Sequence, residues 1–243
     1  IAIVGGERVR IRLADDLKEE RSHSVSLSAD LYHTFGKVQT NLLVEGFYTI
    51  LDDVFALRDM DDAADGGKVK ERYNGSGATV RGFNVEGRAA FTRWFELQAG
   101  VTLQQSRYKE PEFWSEDAEV PPVRRMFRTP DAYGYFTASF KPVRNFTADL
   151  SGTCTGSMLV QHMAGSGVAQ DVAVSTPSFF DMNIRLSYDV RIYKEITMQL
   201  YGGVQNLFNA YQKDFDKGVD RDSGYIYGPS LPRSWFVGAK FSF

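Results

Sequence analysis

The sequence predicts an all-β chain whose strands form a transmembrane up-and-down antiparallel β-barrel wall. Three observations carry this. Apolar and polar residues alternate with a period of two along at least nine segments. The segments run long for strands, and the connections between them alternate short and long. The last segment keeps its apolar face to the final residue: Trp235, Val237, Ala239, Phe241 and Phe243 oppose Ser234, Gly238, Lys240 and Ser242, with Phe236 the one exception. Termini of soluble domains fray. A barrel's last strand must still pair and face lipid.

The elements follow in chain order. Arg8 to Leu13 offers a short stretch that would make a tenth strand. Val25, Leu27, Ala29, Leu31 and Phe35 then alternate with Ser24, Ser26, Ser28, Asp30 and Thr34, and Leu42, Val44, Tyr48 and Ile50 with Asn41, Glu45 and Thr49. Phe83, Val85, Ala89 and Phe91 oppose Asn84, Glu86 and Arg88, while Phe95 to Leu103 and Phe136 to Phe140 repeat the scheme. Residues 146–160 read as one 15-residue strand, longer than the about 9–11 residues a tilted strand needs to cross a bilayer. Phe180 to Tyr188 and Ile196 to Val204 complete the set before the final strand.

A β-sandwich would show the same alternation strand by strand, so the connections decide. Gly36-Lys37, Thr92-Arg-Trp94, Val143-Arg-Asn145 and Tyr193-Lys-Glu195 are short; residues 58–77, 105–131, 163–177 and 209–229 are long loops. Short periplasmic turns and longer extracellular loops are the barrel pattern. Counting back from Phe243 puts every short turn on the periplasmic side. Aromatic residues gather beside the turns (Phe35, Phe91, Trp94, Phe95, Phe140, Phe146, Tyr193, Phe243) and beside the loops (Phe55, Tyr108, Trp114, Phe127, Trp235), as two interfacial girdles require.

Composition narrows the function. The 243 residues carry 28 basic and 31 acidic side chains, a net charge of −3, which speaks against nucleic acid as a partner. One cysteine, Cys154, rules out an intrachain disulfide. His23, His33 and His162 form no zinc pattern, though His162 near a long loop could ligate a metal or haem, and no nucleophile elbow or phosphate loop is present. The chain begins with Ile1 and opens on no secretory signal, so the expectation is a mature or truncated product. An odd strand count closes a sheet badly, which favours further strands upstream.

Gly203-Val-Gln-Asn-Leu-Phe-Asn-Ala-Tyr-Gln212, followed by a loop, Pro232-Arg233 and a last strand ending on Phe243, resembles the penultimate-strand motif of TonB-dependent outer-membrane receptors. Asp16-Leu-Lys-Glu-Glu-Arg21 is similar to a second element of that family, with Glu19 in place of the usual Pro, and Phe47-Tyr48 with Leu51-Asp-Asp53 to a third. The resemblance implies the C-terminal nine or ten strands of a barrel of about 22 strands around an N-terminal plug. Residues 1–16 would then be a partial leading strand and loop, and residues 17–243 the C-terminal segment of the receptor barrel, without plug or TonB-contacting box.

The implied function is uptake of a bulky nutrient (a metal chelate, cobalamin, haem or a glycan) across the outer membrane of a Gram-negative bacterium. It is binding and gating rather than enzymatic chemistry. The implied partners are outer-membrane lipid, the receptor's own plug, the TonB energy-transducing complex acting through that plug, the barrel-assembly machinery and the extracellular ligand. The alternatives are a small ten-stranded outer-membrane enzyme such as a surface protease, which would need a carboxylate–His group at the rim, or a passive channel. Tyr108, Trp114, Arg124 and Arg125 in the longest loop are candidate ligand-binding residues, since rings and guanidinium groups suit a bulky ligand. Asp214, Asp216, Asp220 and Asp222 are weak calcium candidates whose spacing departs from an EF-hand, and a solvated loop is the plainer reading. No other cofactor is expected. Phe243 is the expected assembly signal.

Overall fold

The computed structural model describes residues 2–4, 7–60, 68–115, 117–193, 195–229 and 231–242. In chain order the strands are β1 (Ala2–Val4), β2 (Glu7–Leu13), β3 (Arg21–Phe35), β4 (Val38–Asp52), β5 (Phe55–Met60), β6 (Lys68–Asn74), β7 (Ala78–Thr92) and β8 (Phe95–Glu112). They continue as β9 (Val123–Arg125), β10 (Ala132–Val143), β11 (Phe146–Thr155), β12 (Leu159–His162), β13 (Val172–Ser175), β14 (Phe179–Tyr193), β15 (Ile196–Gln205) and β16 (Ser234–Ser242). Nine of them form one antiparallel wall in the order β16-β15-β14-β11-β10-β8-β7-β4-β3, each beside its sequence neighbour in the wall, with β9 paired to β8. These are the nine segments expected from alternation. The wall is open: β3 and β16 are its two edges and do not pair with each other among the described residues. Phe243 lies outside the described residues.

Register aligns the faces. Trp235, Val204, Ile184, Leu150, Ala138, Leu97 and Ala89 are successive cross-strand partners, an apolar row over seven strands. This face is bare: Leu27 is 83% exposed, Trp235 76% and Val237 89%. So much uncovered apolar surface suits hydrocarbon rather than water.

The other face is polar and stitched. Asn84 Nδ2 donates to Glu45 Oε2 at 2.9 Å and Thr102 Oγ1 to Asn84 Oδ1 at 2.8 Å. Gln98 Nε2 donates to Glu86 Oε1 at 2.7 Å, Arg88 Nε to Glu96 Oε1 at 2.6 Å and Ser139 Oγ to Asp149 Oδ1 at 2.7 Å. The Arg185 guanidinium sits 4.8 Å from the centre of the Tyr201 ring. Phe236, the exception in the last strand, lies against its partner Gly203, where an added Cβ would meet the ring at 2.8 Å. The glycine leaves the space that the aromatic fills.

All four short turns lie at one end of the wall and all four long connections at the other. Beside the short turns Phe91 stacks on Phe95 at 5.3 Å and Trp94 meets Phe140 edge-on at 5.2 Å, which is the expected girdle.

Four expectations are corrected. Arg8 to Leu13 does not add a tenth strand to the wall; β2 lies in a separate sheet, β1-β2-β6-β5, pairing parallel with β6. That sheet also holds β5 and β6, so residues 58–77 are not simply a loop; Arg58 Nε donates to the buried Glu71 carboxylate at 2.8 Å within it. The strand expected over residues 146–160 ends at Thr155, where Gly156 N bonds back to Ala132 O at 2.8 Å and sends the chain out of the ladder. The loop expected from residue 105 starts later, because β8 keeps pairing with β7 to Tyr108 and continues to Glu112.

Placing a charge on the apolar face tests the assignment of faces. In bilayers, Val101→Arg should cost about 2–4 kcal/mol of stability by urea titration. Thr137→Lys, on the polar face one row away, should stay within about 0.5 kcal/mol.

Candidate functional site

The buried cluster of the described residues lies among the long connections at one end of the wall, with Phe179 supplied by the first residue of β14. Val160, Phe179, Tyr225 and Tyr227 form it, with Met158, Val174 and Ala210 packed against it. Each full burial of a Val or Phe side chain contributes roughly 1.5–3 kcal/mol, which adds to the two-stranded β12-β13 sheet in ordering these connections. Fully buried Gln212 holds the turn beside it, donating to Tyr225 O at 3.0 Å and accepting from Tyr227 N at 2.8 Å.

Aspartates stitch this core to its surroundings. Asp214 accepts from Tyr225 Oη at 2.8 Å and from Tyr227 Oη at 2.6 Å. Asp216 faces His162 Nε2 at 3.0 Å through both oxygens and accepts from Asp222 N at 3.1 Å. Asp222 in turn accepts from Met163 N at 2.8 Å and Gly224 N at 2.7 Å. Asp220 takes part through its backbone carbonyl, which accepts from Ser166 N at 2.9 Å. Three of the four carboxylates are thus engaged in loop structure. Among the described residues no three acidic, histidine or cysteine side chains group to hold a metal ion.

His162 is buried, and Tyr225 stacks flat on its ring at 3.6 Å between centroids. The pair with Asp216 therefore acts as a clasp between the connections 156–178 and 206–233, rather than as an exposed acid–base group. Electrostatics follow from this packing. Burial works to raise the Asp214 carboxyl, but hydrogen bonds, first from Tyr227 and Tyr225 and then from the backbone and Gln212, hold it below the usual carboxylate range. Burial is likewise outweighed at Asp216, by the hydrogen bond with His162 and the Asp222 amide. The Tyr225 phenol is pushed far up, first by burial and then by its bond to Asp214.

The four candidate ligand residues lie on or beside the connection 113–131. The Trp114 indole donates to Pro121 O at 3.3 Å and meets Phe127 edge-on at 5.4 Å. Tyr108 is half-buried at the outer end of β8. Arg124 is exposed, with one nitrogen on Lys109 O at 3.1 Å. Arg125 turns the other way: it donates to Ser157 O at 2.7 Å and lies 3.0 Å from Asp131, clamping this connection to the next. Arg128 makes a second clamp to Ile226 O at 2.9 Å. Ser115 Oγ adds a bond to Asp171 at 2.7 Å. Three connections thus form one platform.

Sequence reasoning missed Tyr225, Tyr227, Gln212 and Arg128. The alternation Tyr225-Ile-Tyr227 was the available signal for the tyrosines, but it lay inside a segment read as loop. The structure also explains a motif that was read only by resemblance. Asn206 and Asn209 both take left-handed backbone conformations, with φ of 49° and 53°, which asparagine tolerates better than most residues. Buried Asn206 donates to Ala210 O and Leu231 O at 2.9 Å and accepts from Ala210 N at 2.7 Å. Asn209 Oδ1 accepts from Arg233 N at 2.9 Å. Together they close the connection between β15 and β16.

A family model described as TonB dependent receptor-like, beta-barrel matches residues 4–207. No curated protein sequence matches the chain. Among solved structures the chain is similar to the ferric-catecholate import receptor Fiu from E. coli K12 in its closed form, at 18% identity and a TM-score of 0.62, over 93% of this chain and 28% of that one. It is similar to the copper transporter OprC at 15% identity and a TM-score of 0.61, over 94% and 32%. It is similar to the iron transporter FrpB from Neisseria meningitidis at 14% and 0.57, over 96% and 33%. At these identities the likeness is one of fold, and the chain spans a third or less of each of these proteins.

The clasp and the depressed carboxyls predict how the platform behaves. His162→Ala should raise amide exchange in both connections that it joins, by about 1–3 kcal/mol of local opening, and leave the wall unchanged. Asp214 and Asp216 lie below their ordinary pKa, so their contribution is complete above about pH 4. It is lost as pH falls through the depressed values. Exchange in residues 206–229 should therefore be flat from pH 7 to pH 5, after correction for intrinsic rates, and rise only below about pH 4.

Proposed function

We propose that this chain, which belongs to the TonB-dependent receptor-like β-barrel family, forms the C-terminal part of the wall of a larger outer-membrane receptor. That receptor would take up a bulky nutrient. The observation that carries the reading is the wall itself: nine antiparallel strands with a bare apolar face, a hydrogen-bonded polar face and two edges unpaired among the described residues. Open edges invite further strands. A barrel of about 22 strands would supply them and place the polar face on a plugged lumen.

The named neighbours support transport as the class of activity. Fiu is described as an import receptor for ferric catecholates, OprC as a copper transporter and FrpB as an iron transporter. For this chain the proposed cargo class is a metal chelate or another bulky, scarce nutrient such as cobalamin, haem or a glycan. The platform would face the outside of a Gram-negative cell. The plug would sit against the polar face and couple to TonB, outer-membrane lipid would meet the apolar face, and Phe243 would serve the barrel-assembly machinery.

Within the platform, Trp114 and Arg124 are the side chains best placed to meet cargo, because Arg125 is occupied as a clamp. In the full-length receptor, replacing Trp114 and Arg124 together by Ala should weaken cargo binding at least tenfold, about 1.4 kcal/mol, with heat-modifiable mobility of the barrel retained. Unchanged affinity would remove both from the binding surface. TonB-independent uptake would overturn the TonB-coupled receptor reading and favour a passive channel.

A further inference from the structure

Beneath the loop core, on the polar side of the wall, lies a cavity of about 320 Å³. Thr153, Thr155, Thr176 and Asp181 give it polar walls, and Phe179 and Met158 an apolar one. Thr153 and Asp181 are register partners across β11 and β14, as are Thr155 and Phe179, so neighbouring strands deliver these side chains to one place. Gly228 borders the cavity with φ at +83°, and an added Cβ there would meet the Phe179 ring at 2.6 Å. The aromatic wall is thus held by close packing.

One atom in this lining is out of balance. Asp181 Oδ1 is buried and has no hydrogen-bond partner among the described residues. A buried acceptor left unmade is costly, and a carboxylate oxygen more so. The Thr176 hydroxyl accepts from Met158 N at 3.1 Å, so its own proton can turn toward a guest. The lining therefore combines an unmet acidic acceptor, hydroxyls and an apolar flank. Such a site accepts donors and repels anions.

We infer that this cavity is a cargo subsite for a non-anionic group rich in hydrogen-bond donors, either the hydroxyls of a saccharide or polyol or an ammonium. The group packs on Phe179 and donates to Asp181. The inference rests on the receptor reading, since it places the cavity on the path from platform to lumen. It goes further by naming what the cargo presents.

The test uses the full-length receptor in detergent with three small probes: methyl α-glucopyranoside, ethanolamine and inorganic phosphate. Saturation-transfer and phosphorus NMR titrations measure binding. The expected result is at least one donor probe binding at least tenfold tighter than phosphate, with Asp181→Ala weakening it at least tenfold. Asp181→Asn separates the two sources: it spares the glucoside, which needs only an acceptor, and abolishes ethanolamine binding, which needs the charge. Thr155→Val should weaken the bound probe several-fold and guards against misfolding of the Asp181 variants. Phosphate binding as tight as the donors, no donor binding, or donor binding indifferent to both Asp181→Ala and Thr155→Val would overturn the inference. The receptor reading fails separately, in cells, if uptake proves independent of TonB while these titrations stand.

Discussion

Everything in this molecule follows from the need to satisfy backbone polar groups without water. In hydrocarbon an unpaired amide or carbonyl costs several kcal/mol, so the wall is a continuous ladder in which each strand pairs with its sequence neighbour in the wall. That continuity forces the period of two. It turns Leu27, Val101 and Val237 to one side and gathers Glu86, Arg88, Asp149 and Arg185 on the other, where they satisfy one another or neighbouring strands. The usual arrangement of a soluble domain is inverted: the wall's apolar residues are exposed, and the dry cluster sits among loops.

This explains what could be read from the sequence. Strand alternation is local, so Phe83 to Phe91 or Trp235 to Phe241 show their face within a few residues. Loop order is also local, and it separated a barrel wall from a sandwich before any contact was known. The platform is different in kind. His162 and Asp216 are 54 positions apart, and Arg128 and Ile226 are 98 apart. Nothing in either stretch signals the other. The same limit hid β5 and β6, whose charged residues read as solvated loop although Arg58 and Glu71 pair across them. It also hid the end of β11, since Met158 and Val160 keep the alternation in sequence while serving the loop core in space.

The carboxylates show how one composition supports two readings. Alternate aspartates over residues 214–222 suggest a cation site by spacing alone. In the fold, tyrosine hydroxyls, a histidine and backbone amides take up Asp214, Asp216 and Asp222. The depressed pKa values of Asp214 and Asp216 have that structural origin. Asp181 contrasts with them: its buried Oδ1 has no such bond among the described residues.

The cross-stitching of residues 113–131, 156–178 and 206–233 has an evolutionary corollary. Exchanging one of these stretches alone would leave Arg125, Arg128 or His162 without its partner in another, so recombination that respects the fold must carry all three as a cassette. Divergence of these stretches among relatives should then proceed in correlated steps, with each stretch constrained by the history of its neighbours.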